Sequence, residues 1–396
     1  MSRNVVLLGF TSLLTDVSAE MVTAVLPIYV VLQLGASPLQ YGFLDGLYQG
    51  ASAVVRLGSG VVADRTKRYK DVAALGYGTS AVCKGALLVV GGSIGGLSLV
   101  VLADRLGKGI RTAPRDALIS LSSTRDRLAT SFGVHRAMDT AGAMLGPLVA
   151  FGLLLAAPRE FNAVFAVSLC FAIVGLAVLV LFVQNRTGSP PDSTARRPSV
   201  RNAARLLGDR RFRTLVIAGS ALGLVTISDG FLYLGLQDRL DFEPTFFPLL
   251  FVGSAVAYMV LAIPAGALAD RIGRVRVFMG GYALLLLVYT SFLLPTPSGP
   301  VLIVYLVALG AYYAATDGVL MAIASAVLPE HQQASGLALL VTATTLAKLA
   351  AALLFGGLWT AFGLETTAAI FCLALMVACM VAWASLGRGL KFGGSA

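Results

Sequence analysis

The sequence predicts an all-α polytopic membrane protein with twelve transmembrane helices in two six-helix bundles related by a pseudo-twofold axis. The first observation behind this prediction is composition: 57% of the 396 residues are hydrophobic and only 13% are charged, with a mean hydropathy of +0.84. Soluble domains carry about 25% charged residues. The second observation is length, because several nearly uncharged runs can cross a hydrocarbon core of about 30 Å. Within lipid, a helix satisfies every backbone amide inside its own segment, so these runs are predicted to be helices.

Hydropathy and the polar interruptions between apolar runs give the twelve spans in order. They are predicted at 5–33, 39–62, 72–91, 95–121, 128–156, 161–184, 213–238, 245–268, 275–294, 299–327, 334–361 and 365–387. The longest interruption, 185–212, is rich in Pro, Ser, Asp and Arg, which predicts a cytoplasmic linker. It separates an N-terminal bundle over 1–184 from a C-terminal bundle over 213–396.

Basic and neutral connections alternate along the chain, which is the third observation. Cations concentrate in five segments: Arg65–Lys70, Arg125–Arg127, Arg186–Arg213, Arg271–Arg276 and Arg388–Lys391. The intervening connections Gly35–Gln40, Gly91–Gly96 and Pro295–Pro300 carry no charge. Loops rich in Lys and Arg stay in the cytoplasm. Both termini are therefore predicted on the cytoplasmic side of the cell (inner) membrane, and the net charge of +10 needs no nucleic-acid partner.

A short segment recurs at the same place in each half. GVVADRTKR (Gly60–Arg68) follows the second span and GALADRIGR (Gly266–Arg274) follows the eighth, 206 residues later. The two copies share the leading Gly, the Ala-Asp-Arg triplet and the final Arg. Parallel repeats of this kind build many membrane transport proteins, whose binding site lies where the repeats meet.

Four motifs in the right order make the chain resemble the major facilitator superfamily over essentially its whole length. Two are the Gly-x-x-x-Asp-Arg loops. The third is RLGKG (Arg105–Gly109) in the fourth span, with Lys108 where the family commonly has Gln. The fourth, GVHRAMDTAGAMLGP (Gly133–Pro147), is similar to the fifth-span signature of proton-driven exporters. The resemblance implies a central cavity lined by spans one, four, seven and ten, and conformational latches at the repeated loops.

The fourth span carries an unusual stripe of charge. Asp104, Lys108, Arg111 and Arg115 fall within an arc of roughly 60° over about 16 Å of helix. Each charge would cost roughly 2.5–3.5 kcal/mol if it faced lipid. These side chains are therefore expected to face protein or a water-filled cavity. Pairing with acids of neighbouring helices is one interpretation, and contact with solute or protons is the other.

The candidate residues follow from this stripe, from the other intramembrane charges and from the motifs. The predicted substrate- or proton-binding residues are Asp16, Glu20, Asp45, Asp104, Arg105, Lys108, Arg111, Arg136, Asp139, Asp229 and Asp317. The predicted gating residues are Asp64, Arg65, Arg115, Asp270, Arg271, Gly142, Gly146 and Pro147. Asp16, Glu20 and Asp139 are favoured for proton binding, and no residue is assigned to a metal.

The expected function is secondary active transport of a small solute by alternating access, with proton-coupled export as the leading mode. Import or facilitated passage of an anionic metabolite or metal chelate remains an alternative, and a membrane receptor or channel is a more distant one. An enzyme is not expected, because the sequence has no nucleotide loop, metal-ligand spacing or nucleophile beside a base. The expected partners are the solute, protons and the lipid bilayer, with no cofactor, a proton gradient as energy source and a monomeric chain.

Overall fold

All regular elements in the described part of the chain are helices. The computed structural model describes residues 2–124, 127–186, 206–293, 299–329 and 333–389. The helices are α1 (Arg3–Ile28, continued by a π-helical turn at Tyr29–Gln33), α2 (Pro38–Thr66), α3 (Tyr69–Val90), α4 (Ile94–Leu121), α5 (Leu128–Ala156), α6 (Phe161–Phe182), α7a (Arg210–Leu224), α7b (Asp229–Leu240), α8 (Pro248–Ile272), α9 (Arg274–Thr290), α10 (Gly299–Val327) and α11 (Gln333–Gly389). Short 3-10 turns lie at Pro244–Phe246 and Ser291–Leu293.

Local sequence signals set several helix ends. The hydroxyl of Ser2 accepts a hydrogen bond from the Val5 amide at the start of α1. The Asp209 carboxylate accepts from two amides at the start of α7a. Such caps satisfy amides that have no partner within the helix.

Nine helical segments among the described residues are long and apolar enough to cross a bilayer. One of them, Gly336–Leu386, has 51 residues and is interrupted at Gly363, whose φ of 81° is not helical, so it contains the last two predicted spans. Helices α2 and α4, with 29 and 28 residues, have the length of two further spans but a more polar composition. The described helices thus account for the twelve predicted spans, and the chain is a multi-pass membrane protein.

The first of two compact units comprises Met1–Ala36, Leu47–Ala195 and Glu243–Leu249. In it α1 packs against α5 and α6, and α3 packs against α4 and α6. One buried cluster of this unit combines aliphatic residues of α1 and α4 with the rings of Tyr69 and Tyr77 on α3. These contacts fix the faces of α1, α3, α4 and α5 that carry the charged residues.

The second unit comprises Ser37–Gly46, Arg196–Phe242 and Leu250–Ala396, so it takes the first turns of α2 from the N-terminal half of the sequence. In it α7a packs against α11, and α9 packs against α10 and α11. The ring of Phe231 lies 4.9 Å from Tyr41 and 5.0 Å from Phe355, measured between centroids. Most of the predicted linker, 187–205, lies outside the described residues.

The seventh span is interrupted where a single helix over 213–238 was predicted. Residues Val225–Ser228 are not helical, and they separate α7a from α7b. The Tyr289 hydroxyl bridges the interruption, accepting from the Ile227 amide at 2.7 Å and donating to the Val225 carbonyl at 3.0 Å. The interruption includes three consecutive β-branched residues, Val-Thr-Ile, whose side-chain rotamers are restricted in a helix.

Candidate functional site

The N-terminal end of the charged stripe on α4 forms a buried ion-pair group within the first unit. Asp104 lies 3.3 Å from the Lys84 ammonium on α3 and 2.7 Å from the Arg105 guanidinium, and the three side chains are 4–9% exposed. The Arg105 guanidinium also stacks over the Tyr48 ring, 3.8 Å from its centroid. Lys84 and Tyr48 were not among the predicted site residues. Lys84 could have been identified from the sequence, because it is a lysine within a predicted span. The group therefore joins two cations to one acid inside the unit.

Arg111 is held between α3 and α4. Its guanidinium donates to the Ser80 hydroxyl at 3.0 Å and lies 4.7 Å from the centre of the Tyr77 ring, and the residue is 4% exposed. The two helices approach closely here, because a Cβ built on Gly107 would lie 2.9 Å from the Gly76 carbonyl oxygen. Arg111 is therefore embedded in the α3–α4 contact.

The other end of the stripe joins α4 to α1 and α5. Arg115 contacts Asp116 at 3.0 Å, the Ser12 hydroxyl at 3.0 Å and the Asp139 carboxylate at 3.9 Å. His135, one helical turn from Asp139, lies 3.6 Å from the same carboxylate. Neither ring nitrogen of His135 has a hydrogen-bond partner among the described residues.

Asp16, Glu20 and Lys108 form a different arrangement, which we call the α1–α4 triad. None of the three forms an ion pair within 4 Å or a side-chain hydrogen bond in the part of the chain that the structure describes, and all three are partly exposed. Lys108 is nevertheless the strongest electrostatic partner of both carboxylates. The triad is thus a group of neighbouring, partly accessible charges without a direct bond between them.

Two glycines of α5 position the acids of the triad. A Cβ built on Gly142 would lie 3.1 Å from Cβ of Asp16, and one built on Gly146 would lie 2.8 Å from Cβ of Glu20. Glycine pairs four residues apart allow helices in a membrane to approach closely. Pro147, inside α5, is buried next to this contact. The fifth-span motif therefore allows the face of α1 that carries Asp16 and Glu20 to pack closely against α5.

The second unit contains its own carboxylates. Asp229, at the first position of α7b, accepts a hydrogen bond from the Tyr313 hydroxyl. Lys348 is an electrostatic partner of both Asp229 and Asp317. Asp45, on the first turns of α2, is 7% exposed and belongs to this unit as well. Tyr313 and Lys348 were not predicted as site residues, although Lys348 is a cation in the middle of a predicted span.

The remaining predicted residues lie at helix ends or on exposed faces. Asp270 pairs with Arg274 at 3.2 Å, and Arg274 also donates to the Ala322 carbonyl at 3.1 Å. Arg65, Arg136 and Arg271 are exposed. Asp64 lies in α2, but its side chain is outside the described residues.

The buried ion-pair group yields the first testable prediction. We expect Asp104→Asn to lower the free energy of unfolding by about 3–5 kcal/mol, because it leaves two buried cations without their acid. Lys84→Met should cost less, because the 2.7 Å bond between Asp104 and Arg105 remains. Thermal unfolding of both purified variants in detergent measures the difference. Equal melting temperatures for Asp104→Asn and the wild type would mean that the pairing does not stabilise the unit.

A family model described as Major Facilitator Superfamily matches residues 8–248 and 225–390 of the chain. An uncharacterized MFS-type transporter of Methanocaldococcus jannaschii is 32% identical over 368 residues, which are 91% of this chain and 89% of that protein. An uncharacterized protein of Mycobacterium tuberculosis is 32% identical over 191 residues, 48% of this chain and 45% of that protein.

Solved structures show the same fold at low sequence identity. The crystal structure of the nucleoside transporter NupG has a TM-score of 0.81 and 15% identity, covering 99% of this chain and all of that one. A bacterial homolog of the human lysosomal transporter Spinster has a TM-score of 0.74 and 14% identity, with 99% and 98% covered. A peptide transporter POT mutant has a TM-score of 0.75 and 15% identity, with 99% and 96% covered.

Proposed function

Because the chain belongs to the major facilitator superfamily and is a transporter of that type, we propose that it exports a small solute in exchange for protons by alternating access. The observation that carries this proposal is the α1–α4 triad of Asp16, Glu20 and Lys108. Its charges are partly exposed and have no ion-pair partner within 4 Å in the described residues. Charged groups inside a membrane are costly, and they are characteristic of solute and proton pathways.

The charge of the triad supports exchange between a proton and a cationic solute. With both carboxylates ionised and Lys108 protonated, the triad has a net charge of −1. One bound proton makes it neutral and removes its attraction for a cation. A proton and a cationic solute therefore compete for Asp16 and Glu20, which is the requirement for antiport through one site.

The paired charges have a positioning role in this proposal. Asp104 and Arg111 contact Lys84 and Ser80 of α3, and Arg105 contacts Asp104, all inside the first unit. Arg115 and Asp139, with His135 beside them, link α4 to α5. Proton transfer to the triad can use Asp139 and His135, because both present buried atoms without a hydrogen-bond partner among the described residues.

The ends of α2 and α8 carry the proposed latches. Asp270 and Arg274 form an ion pair that also reaches the end of α10 through the Ala322 carbonyl. Such surface pairs are weak, so they can break and re-form during a transport cycle. We assign Asp64, Arg65 and Arg271 to the same role by their place in the repeated loops.

An import or facilitation mode for an anionic metabolite or metal chelate is the second candidate. The Lys108 ammonium, which has no ion-pair partner within 4 Å in the described residues, favours transport of an anion. This group can bind a carboxylate of the solute once Asp16 and Glu20 are protonated. The net negative charge of the ionised triad favours the cation–proton exchanger.

Solute flux in proteoliposomes tests the function. Purified protein is first screened by thermal shift against organic cations, organic acids and metal chelates, and each stabilising compound is then loaded into vesicles. We expect a cation to move against its gradient when a pH gradient is imposed, and empty vesicles give the background. Accumulation that persists after the pH gradient is dissipated would exclude proton coupling, and accumulation of anions alone would favour the second candidate.

A further inference from the structure

A cavity of about 530 Å³ lies at one end of the first unit, beside the starts of α1 and α3 and the end of α6. Its lining includes three cations, Arg3 on α1, Lys70 on α3 and Arg186 just after α6. None of the described residues that line it is an aspartate or a glutamate. Asp71, next to Lys70 in the sequence, is paired with Arg68 at 2.6 Å. The cavity therefore presents positive charge that no acid in its lining compensates.

Most of the donors of these three cations are available to a ligand. Within the described ranges, neither the Arg3 nor the Arg186 guanidinium forms an ion pair or a hydrogen bond, and both residues are exposed. The Lys70 ammonium donates to the Val180 carbonyl at 2.8 Å, which uses one of its three hydrogen atoms. A phosphate group can accept hydrogen bonds from all three side chains.

Two asparagines fix the segments that carry the cations. The side chain of Asn4, which is buried, accepts from the Gln184 amide at 2.8 Å and donates to the Gln184 carbonyl at 3.1 Å. The side chain of Asn185 accepts from the Lys70 amide at 3.1 Å and donates to the Lys67 carbonyl at 3.1 Å. These bonds tie the segment after α6 to the starts of α1 and α3. The backbone around the cavity is thus held in place without a ligand.

The same cavity has an apolar wall. Leu181 and Phe182, the last two residues of α6, line it and are 70% and 53% exposed. Helix α6 is one of the apolar helices long enough to cross a bilayer, so its end lies where hydrocarbon gives way to headgroups. A soluble anion would contact only the cations, whereas an anionic amphiphile would also cover the two apolar side chains.

We propose that this cavity binds one anionic phospholipid, with its phosphate against Arg3, Lys70 and Arg186 and an acyl chain along Leu181 and Phe182. Basic pockets between membrane helices on the cytoplasmic side bind anionic headgroups. The alternation of basic and neutral loops predicts that this end of the bundle faces the cytoplasm. The inference goes beyond the proposed function, because the lipid is neither the solute nor a coupling ion and its site is separate from the α1–α4 triad.

Native mass spectrometry of the purified full-length protein in detergent, titrated with phosphatidylglycerol, tests the site. We expect saturable binding of one phosphatidylglycerol per chain and a rise in melting temperature, since a ligand that binds only the folded state stabilises it. Phosphatidylcholine, whose headgroup has no net charge, should bind at least about tenfold more weakly. Glycerol phosphate, which has the anionic group but no acyl chain, should not displace the bound lipid.

The double variant Arg3→Gln/Arg186→Gln should weaken phosphatidylglycerol binding about thirtyfold, and each single substitution about fivefold. Both side chains are exposed and have no partner in the described residues, so the fold should not depend on them. The single variants keep the test decisive if the double variant does not fold. Arg211→Gln/Arg276→Gln, which removes two exposed arginines of the second unit, is the matched control and should bind like the wild type.

The outcomes separate the lipid site from its alternatives. Equal affinity for phosphatidylglycerol and phosphatidylcholine, or full phosphatidylglycerol binding by the variants of Arg3 and Arg186, overturns the site. Displacement of the lipid by glycerol phosphate at similar affinity also overturns the lipid assignment, because the cavity would then be a site for a soluble phosphate. Saturable phosphatidylglycerol binding by a protein that moves no solute in vesicles supports the site and contradicts only the proposed function.

Discussion

Lys108→Met is expected to reduce solute flux in proteoliposomes at least about a hundredfold, which corresponds to ~2.7 kcal/mol of lost stabilisation. The substitution removes the only cation of the α1–α4 triad and leaves Asp16 and Glu20 as neighbouring carboxylates. Their mutual repulsion favours proton uptake, so the triad holds protons that it can no longer exchange for solute. The measurement is initial-rate flux of a compound found in the binding screen, normalised to the amount of folded protein.

Lys84→Met is the matched control for this experiment. Lys84 is also a membrane-embedded lysine of the first unit, but it is paired with Asp104 at 3.3 Å and buried. We expect it to lower the melting temperature while flux per folded molecule stays within about threefold of the wild type. Lys108→Arg should recover part of the flux because it keeps the positive charge. Undiminished flux in Lys108→Met would remove the triad from the transport site.

Gly146→Val is expected to abolish flux and to lower the yield of folded protein. A Cβ at this position would lie 2.8 Å from Cβ of Glu20 and 2.9 Å from both the Met21 amide nitrogen and the Val17 carbonyl oxygen. Two of these atoms belong to the α1 backbone, so the clash cannot be relieved by a side-chain rotation. Helix α1 must move away from α5, and Glu20 moves with it. Gly146→Ala should show a weaker form of the same defect.

Gly152→Val tests whether the effect is specific to the α1–α5 contact. Gly152 lies six residues further along α5, and a Cβ there would meet no atom within 4 Å. Both variants place the same β-branched side chain in the same helix, so their difference reports the steric contact alone. Melting temperature and flux of Gly152→Val should stay close to wild-type values. A similar loss in both variants would show that α5 tolerates no valine, and would contradict the close-approach role of Gly146.

Most of the helical architecture could be predicted from the sequence. The predicted fifth and tenth spans, 128–156 and 299–327, have the same limits as α5 and α10. A helix must have a minimum length of apolar sequence to cross the hydrocarbon core, and charged or glycine-rich connections mark where the helix ends. Both features can be detected within a short segment of sequence. The interruption at Val225–Ser228 was missed because hydropathy does not distinguish an apolar helix from an apolar non-helical segment.

Partners of the charged residues could not be predicted in the same way. The predicted spans contain ten cations and ten acids, so both full pairing and a set of available charges are consistent with the sequence. Asp104 pairs with Lys84 from a different helix, whereas Lys108, one turn further along α4, has no partner at this distance in the described residues. Helical periodicity places both side chains on one face of α4, but it does not show what faces them.

The sequence by itself determined the membrane-spanning helical fold, the repeated loops and the set of residues that carry intramembrane charge, because each depends on composition and spacing along one segment. Only the tertiary structure decided which charges are neutralised and which remain available. Gly146 against Glu20, Asp104 between Lys84 and Arg105, and Asp45 beside Ser228 are contacts between segments distant in sequence. Electrostatic interactions depend on distance and on exclusion of water, and both are fixed only when the helices pack together.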